Sequence, residues 1–461
     1  MIQETMRAIV EIRSLNWVSV AVEKYAPAIV ALMAWLTLQP YFVWQFPRTA
    51  LICSVITAAT AACLIVWPAR RQWDRLEVIG VGLLGAFVLW ITLEKTVDGG
   101  HIKWVFVLPT LAACALMNDI QRRSTMGWFA TIFAVTLIPG IVYWVLAALG
   151  VGVSFDVIPT RNGAMAAASY KLLIANGAVF VESNRLTTEW GGTIFRLCGP
   201  FDEPGTVGTI AGLMIAAFGF RLSDWRVATA FVAGLFSFSL AFAVLATVGL
   251  LASSVVTRRA ALLALFPPII LSAYLSLGWT LPQHNAAQAA TRTQSAITVQ
   301  VNGETKPLAQ DATELRQTGA IDNRITPGMR GLIQEYFRAN WRTVAFGFAS
   351  DASVKRDETS QTWMRILTDH GLFGFVLLFG GCAAIAISAL RCSVAPYQTA
   401  IFFLLFAMSA YQRPVVWMPY ALVVLLCGAH LISSRTIPRR SGDGSGVLGA
   451  RRVGRRSVPI V

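Results

Sequence analysis

Long apolar runs, broken by short charged connectors, dominate the pattern of this chain. They fall near Ala26–Trp44, Thr49–Trp67, Val78–Leu93, Trp104–Met117, Trp128–Val151, Val207–Phe220, Val227–Leu240, Ala241–Val256, Ala260–Leu277, Ile366–Leu390, Thr399–Ala410 and Val415–Ser433. Such runs satisfy their backbone groups internally as helices, and a crossing needs roughly 20 residues. The pattern predicts an all-α, polytopic transmembrane helical bundle of about 12 spans. The stretch Val227–Val256 is too long for one comfortable helix and short for two. Arg221 and Arg226 precede it while Arg258 and Arg259 follow it, so two short crossings place both pairs on one side.

The polar remainder is unevenly spread. Two long polar stretches, about 152–206 and 279–364, interrupt the runs, and a tail from Arg435 onward is rich in Gly, Ser and Arg. The expected organisation is a membrane unit over 1–434 and a basic, disordered cytoplasmic tail over 435–461. Arg70, Arg71 and Arg75, then Arg122 and Arg123, then the two pairs above and the tail all fall on one face if the runs cross in turn. The positive-inside rule makes that face cytoplasmic, with both termini inside and both long polar stretches outside. The chain is therefore expected to cross a membrane many times.

Composition agrees. The chain has 461 residues, 56% hydrophobic and only 13% charged. A soluble domain averages about 25% charged residues, so this chain could not cover a globule with polar surface. The 15 Trp suit membrane interfaces. The net charge of +14 sets orientation and does not imply nucleic acid as a partner. Six of the seven Cys lie in or beside apolar runs, which leaves Cys198 as the Cys of an exported stretch. No Cys or His pair has metal-ligand spacing, so no metal is expected. The residues Met1–Lys24 carry mixed charge and no apolar core with a cleavage site, and no cleaved signal peptide is read there.

Candidate chemistry lies in the two exported stretches, since long loops escape the orientation rule and their cations need another reason. The first stretch ends in Phe195-Arg196-Leu197-Cys198-Gly199-Pro200-Phe201-Asp202-Glu203-Pro204-Gly205. Two Pro and two Gly around charge fix an irregular backbone at the membrane surface. Such backbone is tolerated only when packed in protein or lining a cavity. A structural ion pair of Arg196 with Asp202 or Glu203 is the plain alternative. The second stretch holds Arg324, Arg330, Arg338 and Arg342. Its run Gly331–Arg342 places Leu332, Ile333, Tyr336, Phe337 and Trp341 near helical spacing. An amphipathic helix with Arg338 and Arg342 one turn apart on one face is expected, and a solvated or headgroup-binding face is the plain reading of it.

Together these segments resemble the O-antigen polymerase and O-antigen ligase superfamily of polysaccharide-assembling membrane proteins. The first signature is similar to that family's Arg, Gly, aromatic, acid, Pro pattern, here Arg196, Gly199, Phe201, Glu203 and Pro204. The second is similar to its Arg, aromatic-rich helix and Gly-containing turn, here Arg330, Trp341 and Phe346-Gly347-Phe348. The third is similar to a loop-to-span entry ending in an acid and a Gly-rich turn, here Trp363, Asp369, Gly371 and Gly374. The predicted topology matches over nearly the whole chain. Ligase-like members usually carry a His, often followed by Asn, eleven residues before the Gly aligned with Gly371. Here Ser360-Gln361 stands there, and His370 is out of register. The departure favours a polymerase, and no His base carries over.

The resemblance implies transfer of a glycan from undecaprenyl pyrophosphate onto the sugar of the next lipid-linked repeat unit, with no cofactor. It implies as partners the undecaprenyl-pyrophosphate-linked oligosaccharide, the bilayer, and a flippase and chain-length regulator of the same pathway. The departing pyrophosphate must be stabilised as charge builds, and the acceptor hydroxyl needs a base. Arg binds phosphate oxygens bidentately and stays charged. On this reading Arg196 and Arg330 hold the pyrophosphate. Glu203 or Asp202 serves as base, and Arg324, Arg338, Arg342 and Trp341 bind substrate. Glycan transfer of the ligase type, or transport of a lipid-linked oligosaccharide, are the rivals. Transporters often show internal repeats and midplane charges. No repeat joins the two halves here, and the unexplained charges sit in the outer stretches.

Overall fold

The structure is a computed structural model that describes residues 20–44, 46, 48–67, 74–97, 104–159, 171–187, 191–257, 264–275, 299–301, 304–306, 327–348, 362–412 and 416–433. The basic tail, Arg324, Ser360 and Gln361 lie outside them. Helices dominate: α1 (20–36), α2 (Thr49–Val66), α3 (Arg75–Val97), α4 (Leu108–Leu116) and α5 (Asp119–Ala148) precede a sheet. After it come α6 (Pro204–Ala217), α7 (Trp225–Phe236), α8 (Leu240–Thr257) and α9 (Phe266–Leu275). The last are α10 (Pro327–Arg338), α11 (Trp341–Phe346), α12 (Thr362–Cys392), α13 (Pro396–Gln412) and α14 (Pro419–Ile432), the last with a π-helical stretch over Val424–Gly428.

Among the described residues, each apolar run of the sequence contains a helix. Among the described residues four helices, α2, α3, α5 and α12, are long and apolar enough to cross a membrane, fewer than the expected 12 or so, and six apolar helices are shorter. These are the helices of a membrane protein. The ambiguous segment 227–256 is two helices, α7 and α8, separated at 237–239 where Phe238 takes a positive φ of 44°. The buried centre is α6, in which every residue except Thr206 is buried. A helix apolar all round belongs in the middle of a bundle, and α6 packs against α7, α8, α13 and the π stretch of α14. The most extensive helix pairing is α3 with α12, where Gly80 and Gly381 face each other closely enough that a Cβ on either meets the other's carbonyl. Small residues at such crossings let membrane helices approach without a hydrophobic drive.

The all-α expectation needs correction. The first polar stretch folds into a four-stranded antiparallel sheet, β1 (Asp156–Ile158), β2 (Leu172–Ala175), β3 (Ala178–Thr187) and β4 (Thr193–Gly199), in that order. A second, two-stranded ribbon pairs β5 (Val299–Val301) with β6 (Glu304–Lys306). The β2–β3 turn is Asn176-Gly177, with φ of 42° and 86°. That pair of positive φ values matches the right-handed twist of a tight hairpin, and only residues such as Asn and Gly adopt it cheaply. Leu172, Val179, Val181 and Cys198 form a small core of their own with Tyr41 and Trp44 packed on it. On the other face Phe180 and Phe195 join the main core together with Phe155.

The sequence makes Arg122 an orientation charge in a connector. It lies instead in the first turn of α5, fully buried, because α5 starts at Asp119 under an Asn118–Gln121 capping box. Its Nε donates to Cys114 O at 2.6 Å and its Nη2 to Ala115 O at 3.1 Å, which caps the last carbonyls of α4. Its Nη1 donates to Glu77 Oε1 of α3 and to His430 Nε2 of α14, the latter at 2.7 Å. Arginine has only donors, so Nε2 accepts and the neutral imidazole carries its proton on Nδ1. That Nδ1 faces Asp119 Oδ1 at 3.3 Å. One guanidinium therefore ties α3, α4, α5 and α14 together, at the end of the bundle opposite the sheet. Charge is consequently present inside the bundle as well as in the polar stretches.

Candidate functional site

The segment around Arg196 is built by β4 and the turn into α6. β4 ends at Gly199, which has φ +59° and stands so close to Leu137 that a Cβ would collide with that side chain. The chain then turns through Pro200–Asp202, burying Phe201 between Trp35 of α1 and Phe133 of α5. Pro204 starts α6 in its first turn, where its missing N–H is no loss. Glu203 is the N-cap residue of α6, yet its side chain makes no capping bond to the helix.

Arg196 does not pair with Asp202 or Glu203. Its two hydrogen bonds run to backbone: Nε to Ser237 O at 3.3 Å and Nη2 to Phe238 O at 3.2 Å. Those carbonyls end α7, where the helix dipole is negative and the last C=O groups lack intrahelical partners. The guanidinium has five N–H donors and spends two of them there. Arg122 performs the same capping at the other end of the bundle, with Glu77 balancing its charge. Arg196 is half-buried and, among the described residues, has no carboxylate partner. It is fixed, oriented and left with net positive charge and spare donors.

Cys198, two residues on, is fully buried, and burial pushes its thiol well above the usual range. Arg196 pulls the other way, while Asp202 and Glu203 add to the rise. The thiolate is the reactive species. Cys198 should therefore resist maleimide in the folded protein at mildly alkaline pH and react once the chain is unfolded, as read by mass spectrometry of labelled peptides. Fast labelling of the native protein would contradict this burial.

The second polar stretch departs from expectation. One helix through Gly331–Arg342 was predicted, but α10 stops at Arg338 and Asn340 caps a new helix, accepting from Thr343 N at 3.0 Å. Arg338 and Arg342 thus sit on separate helices. The packed face of α10 is Met329, Leu332 and Tyr336, with Phe348 and Met364 against the first two. Phe337 and Trp341 are exposed, at 66% and 71%. Arg342 lies over the Trp341 ring, 5.5 Å from its centroid. Arg330 is exposed on α10. Arg338 lines an open polar cleft of about 480 Å³ with Gln334, Glu335, Asn340 and Thr343.

This helical hairpin is held to α12 by a crossing of two backbones. Phe348 N donates to Thr368 O at 2.8 Å. Gly347 has φ +87° and Gly371 φ +68°, and a Cβ on either would collide with backbone of the opposite segment. α12 breaks at Gly371 for this reason, so 362–370 is a separate helical segment leading into the span. Phe346 closes the contact against Trp90 of α3 and Phe373. Gly371→Ala should cost about 1–3 kcal/mol in backbone strain alone, and more for the collision. A lowered Tm with new protease cleavage between 339 and 348 is the expected result. Unchanged values for both would refute the crossing.

The site residues named from sequence fall into two sets. Arg196, Asp202 and Glu203 belong to the β4–α6 turn. Arg330, Arg338, Trp341 and Arg342 belong to the α10–α11 hairpin. Both sets lie at the sheet end of the bundle with the start of α14 between them. Val416 and Tyr420 line a small cavity with Thr206 and Thr209 of α6, and Trp417 rests on Phe87, whose ring meets His370. Asp369, noted only as part of a signature, is fully buried with Arg365 Nε at 3.4 Å from its Oδ2. Their i,i+4 spacing was legible; the burial was not. Among the described residues no group of His, Cys, Asp and Glu could hold a metal ion. Comparison of the chain with family models, curated proteins and solved structures gives no match.

Proposed function

We propose that the chain is a membrane glycosyltransferase that polymerises lipid-linked oligosaccharide repeat units into a cell-surface or secreted polysaccharide. On this reading the sheet end is the periplasmic face of a bacterial inner membrane, and the donor and acceptor are borne on undecaprenyl pyrophosphate. The observation that carries it is Arg196: a guanidinium fixed by two carbonyls and unmatched by any described carboxylate. Such a group fits a pyrophosphate whose negative charge grows as the glycosidic bond to it breaks. In a water-poor site its field is stronger than in bulk water. Arg330 is the second candidate for that anion. The cleft around Arg338, with amide, carboxylate and hydroxyl groups, has the chemistry to hydrogen-bond sugar hydroxyls. Glu203, not used as a helix cap, is the candidate base for the acceptor hydroxyl. A balanced step removes the hydroxyl proton to that carboxylate, forms the new glycosidic bond, and releases the polyprenyl pyrophosphate.

Deletion of the coding sequence tests this reading. Single lipid-linked repeat units should accumulate on the outer leaflet. Units trapped on the inner leaflet would replace it with a flippase, and finished polymer left on its lipid carrier would replace it with a ligase.

A further inference from the structure

On α11 the exposed positions are Trp341, Arg342 and Phe346, while Thr343, Val344 and Ala345 are partly covered. At about 100° per residue those three fall within an arc of about 140°. The arc carries two aromatic rings and one guanidinium. Phe337 stands exposed just before it, near the end of α10. Single exposed apolar side chains are ordinary, but a contiguous group of large ones marks contact with a membrane or another protein.

The arc runs into the outward flank of the bundle. Phe346 meets Trp90 of α3 at 5.7 Å between ring centroids and Phe373 of α12 at 6.1 Å. Next to these rings Leu372 and Val376 of α12 and Leu89 and Leu93 of α3 are exposed. Both helices are long and apolar enough to cross a membrane, so in a bilayer these side chains meet hydrocarbon. The Gly347–Gly371 crossing clamps α11 where the apolar run of α12 begins. That depth is the interfacial layer, in which Trp and Arg side chains collect.

Charge selects the occupant. The hairpin carries Arg330, Arg338 and Arg342 against Glu335. A second copy docked on this face would set like charge on like. A sugar stacked on Trp341 would compete with Arg342, whose guanidinium lies over that ring. A phospholipid suits both groups, since its phosphate takes the guanidinium and its acyl chains take the rings.

We propose that the α10–α11 hairpin is an interfacial anchor, with Phe337, Trp341 and Phe346 in the upper acyl layer and Arg342 on a phospholipid phosphate. It holds the cleft around Arg338 at the membrane surface. The anchor needs only a bundle in a bilayer and is independent of the polymerase reading. The test uses the full chain in phosphatidylethanolamine and phosphatidylglycerol vesicles, with Phe337, Trp341 or Glu335 replaced by the photo-cross-linker p-benzoylphenylalanine. After irradiation, mass spectrometry should find phospholipid adducts at 337 and at 341. They should be lost at 335, which turns about 160° away from 337 on α10. Two labelled positions keep the test decisive if one variant misfolds. Arg342→Gln should lower the phosphatidylglycerol share of the adducts about fivefold, the weight of one basic residue at an anionic surface. Equal lipid labelling at 335 and 337, or cross-links to a second copy in place of lipid, would overturn the anchor. A phosphatidylglycerol share unchanged by Arg342→Gln would overturn the phosphate contact.

Discussion

If the chain is the polymerase proposed above, Arg196→Ala yields a folded protein whose polymer synthesis falls about a hundredfold, the equivalent of roughly 3 kcal/mol of transition-state stabilisation by analogy with oxyanion-hole deletions. The loss is larger in catalysis than in stability. The two carbonyls that Arg196 caps lie at the end of α7, and uncapping them costs about 1–2 kcal/mol. Arg196→Lys keeps the charge, yet it does not restore activity. An ammonium has no planar fork with which to hold Ser237 O and Phe238 O on one edge while presenting the other. Polymer length on a gel and Tm of the purified protein, measured on the same preparations, separate the two effects. Normal chain lengths from the Ala variant would end the assignment of Arg196 to the pyrophosphate.

Arg122→Ala is expected to be the most destabilising single change among the charged residues, at about 3–5 kcal/mol. It strands Glu77 in the bundle without its cation, and breaking one side of a buried pair leaves an uncompensated charge. Replacing both partners with apolar residues of similar size, Arg122→Met with Glu77→Leu, recovers a good part of that loss. The material that does fold should retain the proposed polymerising activity per molecule, since this cluster lies at the end of the bundle away from the sheet. Thermal unfolding in detergent, with yield of membrane-inserted protein, measures it. A wild-type Tm for Arg122→Ala would show that the guanidinium does not bind the four helices together.

The helices were legible because each is written in consecutive residues: an apolar run in a bilayer has few alternatives to helix. Even the break between α7 and α8 was marked by charge on both sides. The sheet has one strong local sign, Asn176-Gly177 between two apolar runs, but its strands are short and the polar stretch around them otherwise reads as an exported loop. The interruption at Ala339–Asn340 was hidden for a different reason. The apolar spacing of Leu332, Tyr336 and Trp341 continues in phase across it, and only the capping chemistry of Asn340 marks the stop. Arg196, Gly199 and Pro204 were readable as an irregular junction. Their supports were not: Ser237 and Phe238 are remote in sequence and contribute backbone carbonyls, which have no side-chain identity to read. Arg122 and His430 are 308 residues apart in the chain, and only the packing of α5 against α14 brings them into contact.

On the proposed reading this chain joins lipid-linked repeat units using the sheet end of its bundle. The purified full chain in vesicles, supplied with single lipid-linked repeat units extracted from the deletion strain, tests it most directly. A ladder of polymers growing by one repeat unit should appear, matched by release of free polyprenyl pyrophosphate, with no ladder from Arg196→Ala. Intact chain that leaves those units as monomers, while membranes of the parent strain polymerise them, would contradict it.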